Sequence, residues 1–188
     1  MKTIDFTFEP VLFEGRPAEE RIEKENDCYD LLEQLDIPFQ RMDHSPAQSI
    51  EDCVQLEEIL GVKATKNLFL RNRARTLWYL LMMPGDKPFH TRDLIGQMGI
   101  QRLSFGEEDK LLEMLNLTPG SVSIMGLMYD RKKQVKLLID REIVQQEYMR
   151  CHPCINTSTL RMRTEDVMKR LLPYLGHYPM IVELPRTD

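Results

Sequence analysis

Two apolar runs, KNLFLRN at residues 66–72 and LWYLLMMPG at residues 77–85, flank the short basic turn RNRART. Runs of this length, rich in aliphatic and aromatic side chains and joined by a tight turn, are expected to fold as an antiparallel hairpin. Helical patterns surround it. Residues 18–35, AEERIEKENDCYDLLEQL, place Ile22, Tyr29, Leu31, Leu32 and Leu35 among charges at roughly helical spacing, and DIPF ends the segment at a proline. FQRMDHS reads as a short strand. SIEDCVQLEEIL reads as a helix capped by Ser49, with Asp52 three residues on, and closed by Gly61. Further along, HTRDLIGQMG predicts a short helix, QRLSF an extended piece, and GEEDKLLEMLNLTPG a helix with a Pro-Gly stop. SVSIMGLMYD and KQVKLLIDREIV predict a strand pair across the turn DRKK. TEDVMKRLLPYLG predicts a helix with Thr164 as N-cap, and YPMIVEL a last strand. Strands and helices alternate irregularly with hairpins between them, so the expected class is a mixed α+β fold with helices packed outside the sheet.

The chain has 188 residues and 42% hydrophobic side chains, enough for one domain with a core. No run approaches a membrane span, and MKTIDFTFEP lacks the basic-then-apolar order of a signal peptide, so a cytoplasmic protein without a membrane partner is expected. The net charge of −5 is unevenly spread. Residues 1–36 carry eleven acids against four bases, and the remainder is slightly positive. Within that remainder, residues 61–75 hold Lys63, Lys66, Arg71, Arg73 and Arg75 with no acid. Such a cluster can meet phosphates, but from charge alone a solvated strand end and turn is the favoured reading. Global charge neither supports nor excludes a nucleic-acid partner.

The densest chemistry lies in RCHPCINTST, residues 150–159. Cys151 and Cys154 have the spacing of a zinc or redox pair. Zinc would want a second pair, for which Cys28 and Cys53, on two expected helices, are poorly placed. A redox pair should open a helix, whereas here a β-prone run follows. No phosphate-binding glycine loop, Gly-x-Ser-x-Gly elbow or Ser-His-Asp set is present. The remaining polar residues near apolar strands are Lys66 and Asn67, Gly120 at the start of GSVS, and His152 with Asn156, Thr157 and Thr159. By pattern alone, Lys66 is an ordinary strand-end lysine, and His152 is as readily a histidine fixed by a backbone bond as a site residue.

In this order these residues resemble the trans-acting prolyl-tRNA editing proteins, relatives of the YbaK-type editing domain inserted in bacterial prolyl-tRNA synthetases. The resemblance rests on HSPAQSIEDC (44–53), KATKNLFLRN (63–72), RLSFGEEDKLLEMLNLTPGSVS (102–123), VKLLID (135–140) and HPCINTST (152–159), and with the final strand it spans roughly residues 28–184. It implies a mixed sheet curled into a partial barrel. An editing domain would occupy residues 28–188, behind an acidic N-terminal extension at 1–27. The implied activity is hydrolysis of the ester in mischarged aminoacyl-tRNA, alanyl-tRNA(Pro) first, with tRNA as partner, prolyl-tRNA synthetase as a further candidate partner, and neither cofactor nor metal.

Carried over by position, Lys66 and Asn67 would hold the terminal adenosine and its phosphate. Gly120 would open a loop through Ser121, Val122 and Ser123 that cradles the aminoacyl carbonyl. His152 would bound the side-chain pocket, with His44, Asn156, Thr157 and Thr159 fixing its wall. The attacking water would be activated with help from the tRNA's own hydroxyl. One departure stands out: the family's loop commonly reads Gly-x-x-x-Pro, and here Ile124 takes the proline's place. That change opens two alternatives, a deacylase for cysteine or serine and a tRNA-binding module that has lost turnover.

Overall fold

The computed structural model describes residues 6–100 and 102–186. Strand β1 (Phe13–Glu14) leads to helix α1 (Glu23–Gln34), strand β2 (Phe39–Asp43) and two short helices, α2 (Ile50–Gln55) and α3 (Glu57–Leu60). The expected hairpin follows as β3 (Thr65–Asn72) and β4 (Trp78–Pro84), paired antiparallel from Thr65 opposite Pro84 to Arg71 opposite Trp78. Next come α4 (Thr91–Met98), β5 (Leu103–Phe105), α5 (Glu108–Leu115), a 3-10 turn (Ile124–Met128), β6 (Val135–Asp140) and α6 (Arg141–Val144). A second hairpin, β7 (Tyr148–Cys151) and β8 (Ser158–Arg163), precedes α7 (Thr164–Asp166), a π turn (Val167–Leu171), α8 (Leu172–Tyr174) and β9 (Met180–Val182).

The mixed α+β class is as expected. Its strands fall into two open sheets: an antiparallel one in the order β1-β2-β8-β7, and a mixed one in the order β5-β3-β4-β6-β9. In the mixed sheet β6 runs parallel to both β4 and β9. Every residue of β4 is buried, as a central strand beside a parallel neighbour requires. The period of two then divides its side chains. Trp78, Leu80 and Met82 enter a large core with Phe39, Leu160 and Met162 of the other sheet and with α1, α5 and the C-terminal helical segment. Tyr79, Leu81 and Met83 enter a second core under Leu94 of α4. Outside the antiparallel sheet, Met42 packs with Leu56 and Leu60.

Local signals set several boundaries. Ser49 and Asp52 form a reciprocal capping box at the start of α2, and Gly61, at φ 62°, closes α3. α1 is shorter than the expected 18–35 and crosses residue 27. α5 stops at Asn116, which is left-handed at φ 54°, before Pro119 and Gly120 are reached. The last helix begins with Thr164 inside its first turn and Arg163 as N-cap, not with Thr164 as the cap.

One expected strand pair is replaced. Residues 124–127 form a 3-10 turn buried on all sides, Ser123 caps it through Met125 N–H, and Gly126 lies so close to Leu117 that a Cβ would come within 2.6 Å of Leu117 Cδ1. The DRKK turn is organised by the Asp130 carboxylate, which accepts from the N–H groups of Gln134 and Val135. This sends β6 between β4 and β9 and not back along residues 121–130.

At one end of the mixed sheet Lys87 is buried, with Nζ 3.0 Å from both carboxylate oxygens of Asp140 and 2.7 Å from Leu184 O. Asp140 is fully buried and also accepts from Glu142 N–H and Leu184 N–H. Lys87 Nζ also lies 2.9 Å from the half-exposed Glu142 Oε1. Asp140→Ala would leave the buried ammonium with that partner and Leu184 O alone and would strand two amides, a loss expected to cost about 3 kcal/mol. Lys169→Ala, which removes an exposed pair with Glu165, is expected to leave stability nearly unchanged. Urea unfolding of the two variants beside the parent checks this, and equal losses would contradict it.

Candidate active site

β3 carries Thr65 and Asn67 on the face that continues through Phe69 into the large core, while Lys66 projects from the opposite face with Leu68 and Leu70. Where the apolar face gives way to Asn67, a cleft of about 220 Å³ opens. Its walls are the 47–53 segment with the start of α2 (Ala47, Ile50 and Cys53 among them), Thr65 and Asn67 of β3, Gly120 and Val122 of the loop after α5, and His152. Four residues singled out from sequence therefore meet in one place: Asn67, Gly120, Val122 and His152. Lys66 does not share their wall. Its Nζ donates to Lys87 O at 2.8 Å, which leaves two of its three N–H groups uncommitted there. It stays at the same end of the sheet, because the turn after β4 packs on α2: a Cβ on Gly85 would sit 3.0 Å from Ile50 Cδ1.

The loop after α5 is built from backbone constraints. Gly120 has φ 85°, a conformation glycine adopts without strain, and a Cβ there would come within 3.3 Å of Asn156 Nδ2. Ser121 is turned away from the cleft. Its Oγ donates to Thr118 O at 2.9 Å and its N–H also bonds Thr118 O. Ser123 donates to His152 O at 2.6 Å, which ties the loop to the 152–157 connection. Ile124, at the divergent position, is fully buried in the core as the first residue of the 3-10 turn, so it shapes the loop from below.

The 152–157 connection is pinned from the other side. His44 N–H donates to Thr157 O, Ala47 N–H to Asn156 O, and Asn156 Nδ2 to Ala47 O. His44 Nδ1 donates to Ser45 O at 2.8 Å, so its Nε2, 2.9 Å from Thr159 Oγ1, accepts from that hydroxyl. His152 Nδ1 donates to Ser158 O at 2.8 Å, which fixes the neutral tautomer with Nε2 as acceptor. The two rings lie 6.0 Å apart. Burial pushes the His152 pKa down to about 4, and His44 and Arg150 push the same way. His44 is also lowered, chiefly by burial. Both rings are neutral near pH 7. Among the described residues no hydrogen-bond partner meets the buried Asn67 Oδ1, so an unused acceptor sits at the edge of the cleft.

The thiols take a different part. Cys28, Cys151 and Cys154 are buried in the large core, with Cys28 Sγ 3.5 Å from Cys154 Sγ, and burial raises the Cys151 thiol to about 12. The neighbour of the Cys-x-x-Cys pair is thus Cys28 of α1. Cys53 instead lines the cleft. No group of three His, Cys, Asp or Glu among the described residues is placed to hold a metal. Sequence reading missed Thr65, Ile50 and Cys53 as lining residues. Ala47, Gln48 and Ser49 were missed as well; all six lie in the motifs HSPAQSIEDC and KATKNLFLRN, but the helix cap marks where α2 starts and not which side it presents. In the basic stretch, Arg71 and Arg75 both pair with Glu107, while Lys63 and Arg73 are exposed.

The depressed pKa of His152 has a stability consequence. Below pH 6.5 the unfolded chain takes up a proton that the folded chain refuses until about pH 4, so stability falls as pH drops through that window. His152→Gln is expected to flatten the fall between pH 7 and 4.5 relative to the parent, read by urea unfolding. Parallel curves would contradict the burial of a neutral ring.

Comparison with known proteins places this geometry in a family. Residues 44–170 match the model of the aminoacyl-tRNA editing domain. The chain is 30% identical over 138 residues to the prolyl-tRNA editing protein ProX of Acetoanaerobium sticklandii, covering 73% of this chain and 84% of that one. It is 27% identical over 170 residues to the prolyl-tRNA synthetase associated domain-containing protein 1 of Danio rerio, covering 89% and 91%. Among solved structures, a candidate trans-editing enzyme for prolyl-tRNA synthetase superposes with a TM-score of 0.62 at 11% identity, over 88% of this chain and all of that one, a likeness of fold. With a family match spanning every wall of the cleft, the chain belongs to the aminoacyl-tRNA editing domain family.

Proposed function

We propose that this chain is a trans-editing deacylase that hydrolyses the ester of mischarged tRNA(Pro), with alanyl-tRNA(Pro) as its main substrate. The observation that carries this reading is the meeting of Asn67, the Gly120–Val122 loop and His152 in one small cleft, walled on the α2 side by Ala47, Ile50 and Cys53. A wall of this kind suits a small apolar side chain. The need for such a site is physical: alanine lacks about two methylenes of proline, worth only ~0.8 kcal/mol each, so a synthetase pocket rejects it weakly. A second sieve of limited volume removes the error.

In this reading the aminoacyl group enters between α2 and the loop, and Asn67 Oδ1 accepts from the terminal ribose or the α-amino group. The N–H groups of Val122 and Ser123 are the donors for the oxygen of the tetrahedral intermediate. His152, neutral and held by Ser158 O, bounds the pocket without adding charge. A ring with a pKa of about 4 is a weak base at pH 7. The ribose hydroxyl next to the ester therefore orients the attacking water. Lys66, at the same end of the sheet, meets the terminal phosphate with the N–H groups not used on Lys87 O. The editing unit takes residues 28–188. Of the acidic N-terminal extension, Phe13–Glu14 pair with β2, Phe8 bridges to His44, and residues 23–27 already belong to α1.

The test is release of amino acid from Ala-, Cys-, Ser- and Pro-tRNA(Pro). Alanine is expected to be released fastest and proline spared, and release of none would overturn the reading. Lys66→Ala is expected to abolish turnover with the fold intact, whereas Cys151→Ser, in the core, leaves turnover within about twofold. A wild-type rate in the lysine variant would remove Lys66 from the site.

A further inference from the structure

Arg150 is 3% exposed, yet among the described residues no carboxylate pairs with it. It sits on β7 two residues before His152. Its Nη2 donates to Cys53 O at 3.0 Å and its Nη1 to Val62 O at 3.3 Å. Glu57, the acid whose field reaches it, is occupied elsewhere: Glu57 Oε1 accepts from Ala64 N–H at 2.6 Å. A buried cation whose partners are two carbonyls and the Cys53 thiol is costly, because burial is not offset by an ion pair. Packing alone would be served as well by an apolar side chain of similar volume.

The two carbonyls explain the guanidinium. Cys53 O lies near the end of α2, and Val62 O lies between α3 and β3. The fork therefore spans α3 and joins the helix that carries Ile50 and Cys53 to the entry of the strand that carries Thr65 and Asn67. These are the facing walls of the cleft. The third element, β7, carries Arg150 itself and continues directly into His152. One side chain thus fixes the mutual spacing of three of the surfaces that bound the cleft without touching its interior. A planar fork can hold both carbonyls at once, whereas a lysine ammonium on a flexible stem cannot reproduce that geometry.

We propose that Arg150 is a positioning residue for the cleft: by holding the Cys53 and Val62 carbonyls together it sets the distance between α2 and β3, and with it the largest side chain the site admits. The specificity half of this claim rests on the deacylase reading, and the positional half does not. Cys53 supplies an internal reporter, since the other three thiols are buried and Cys53 is part-exposed in the cleft wall; the Arg150 guanidinium favours its thiolate, so weakening that contact would by itself slow labelling, and faster labelling reads the opening.

The experiment compares the parent with Arg150→Lys by two readouts: the rate at which Cys53 reacts with a thiol reagent, located by mass spectrometry, and the ratio of kcat/KM for Ala-tRNA(Pro) over Pro-tRNA(Pro). Arg150→Lys is expected to speed Cys53 labelling about tenfold, as a local opening becomes easier. It is also expected to lower the alanine preference by about tenfold as the walls part. Labelling at the parental rate overturns the positional claim, whether or not the protein turns over aminoacyl-tRNA. Faster labelling with an unchanged alanine preference in an active enzyme overturns the link to specificity. Absence of turnover in the parent would defeat the deacylase reading while leaving the labelling result to decide Arg150. If all four thiols label together the lysine variant has unfolded, and Arg150→Met, which removes the buried charge at similar volume, is read in its place by the same two criteria.

Discussion

The burial of β4 on both faces is the constraint from which the architecture follows. Seven consecutive buried residues need apolar cover above and below, and α4 with Leu184 packs on one side while the antiparallel sheet and α1 supply the other. The pairing partner β3 is less complete. Its face toward the large core is apolar at Phe69 but polar at Asn67, and the cleft opens where that change occurs. The site is therefore an interruption of the core's edge, and its floor inherits the rigidity of the sheet.

Around that floor most of the polar residues serve as scaffold. Ser121 closes its own turn, Ser123 holds His152 O, Thr159 holds His44, and Asn156 holds the 44–47 segment. What remains free to meet a ligand is a short set: the buried oxygen of Asn67, the backbone of the loop, and a neutral imidazole. A site this poor in charge suits the proposed ester hydrolysis, in which shape would select the substrate and the substrate's own hydroxyl would assist.

Much of this was legible in the sequence where the cause is local. The Ser49-Asp52 capping box and the Gly61 stop each depend on residues a few positions apart, and the β3-β4 hairpin on two adjacent runs. What failed was decided at long range. Residues 121–130 look like a strand by composition, but the close packing of Gly126 on Leu117 favours a 3-10 turn at residues 124–128, and β6 finds parallel partners that no local pattern announces. The motif pairing KNLFLRN with HPCINTST located the cleft. The period of two within KNLFLRN already implied that Lys66 and Asn67 point to opposite faces, a consequence visible only once the faces were assigned. The role of Cys28 as neighbour to Cys154, 126 residues away, had no sequence signal at all.

The central claim is that the small cleft bounded by Asn67 and His152 receives an aminoacyl ester. A stable alanyl-amide analogue of the terminal aminoacyl-adenosine, titrated into isotope-labelled protein, tests it directly. The account predicts saturable shifts of the Asn67 side-chain amide, the Val122 and Ser123 backbone amides and the His152 ring, with the prolyl analogue leaving them in place. Shifts confined to surfaces away from these residues, or equal responses to both analogues, would contradict it.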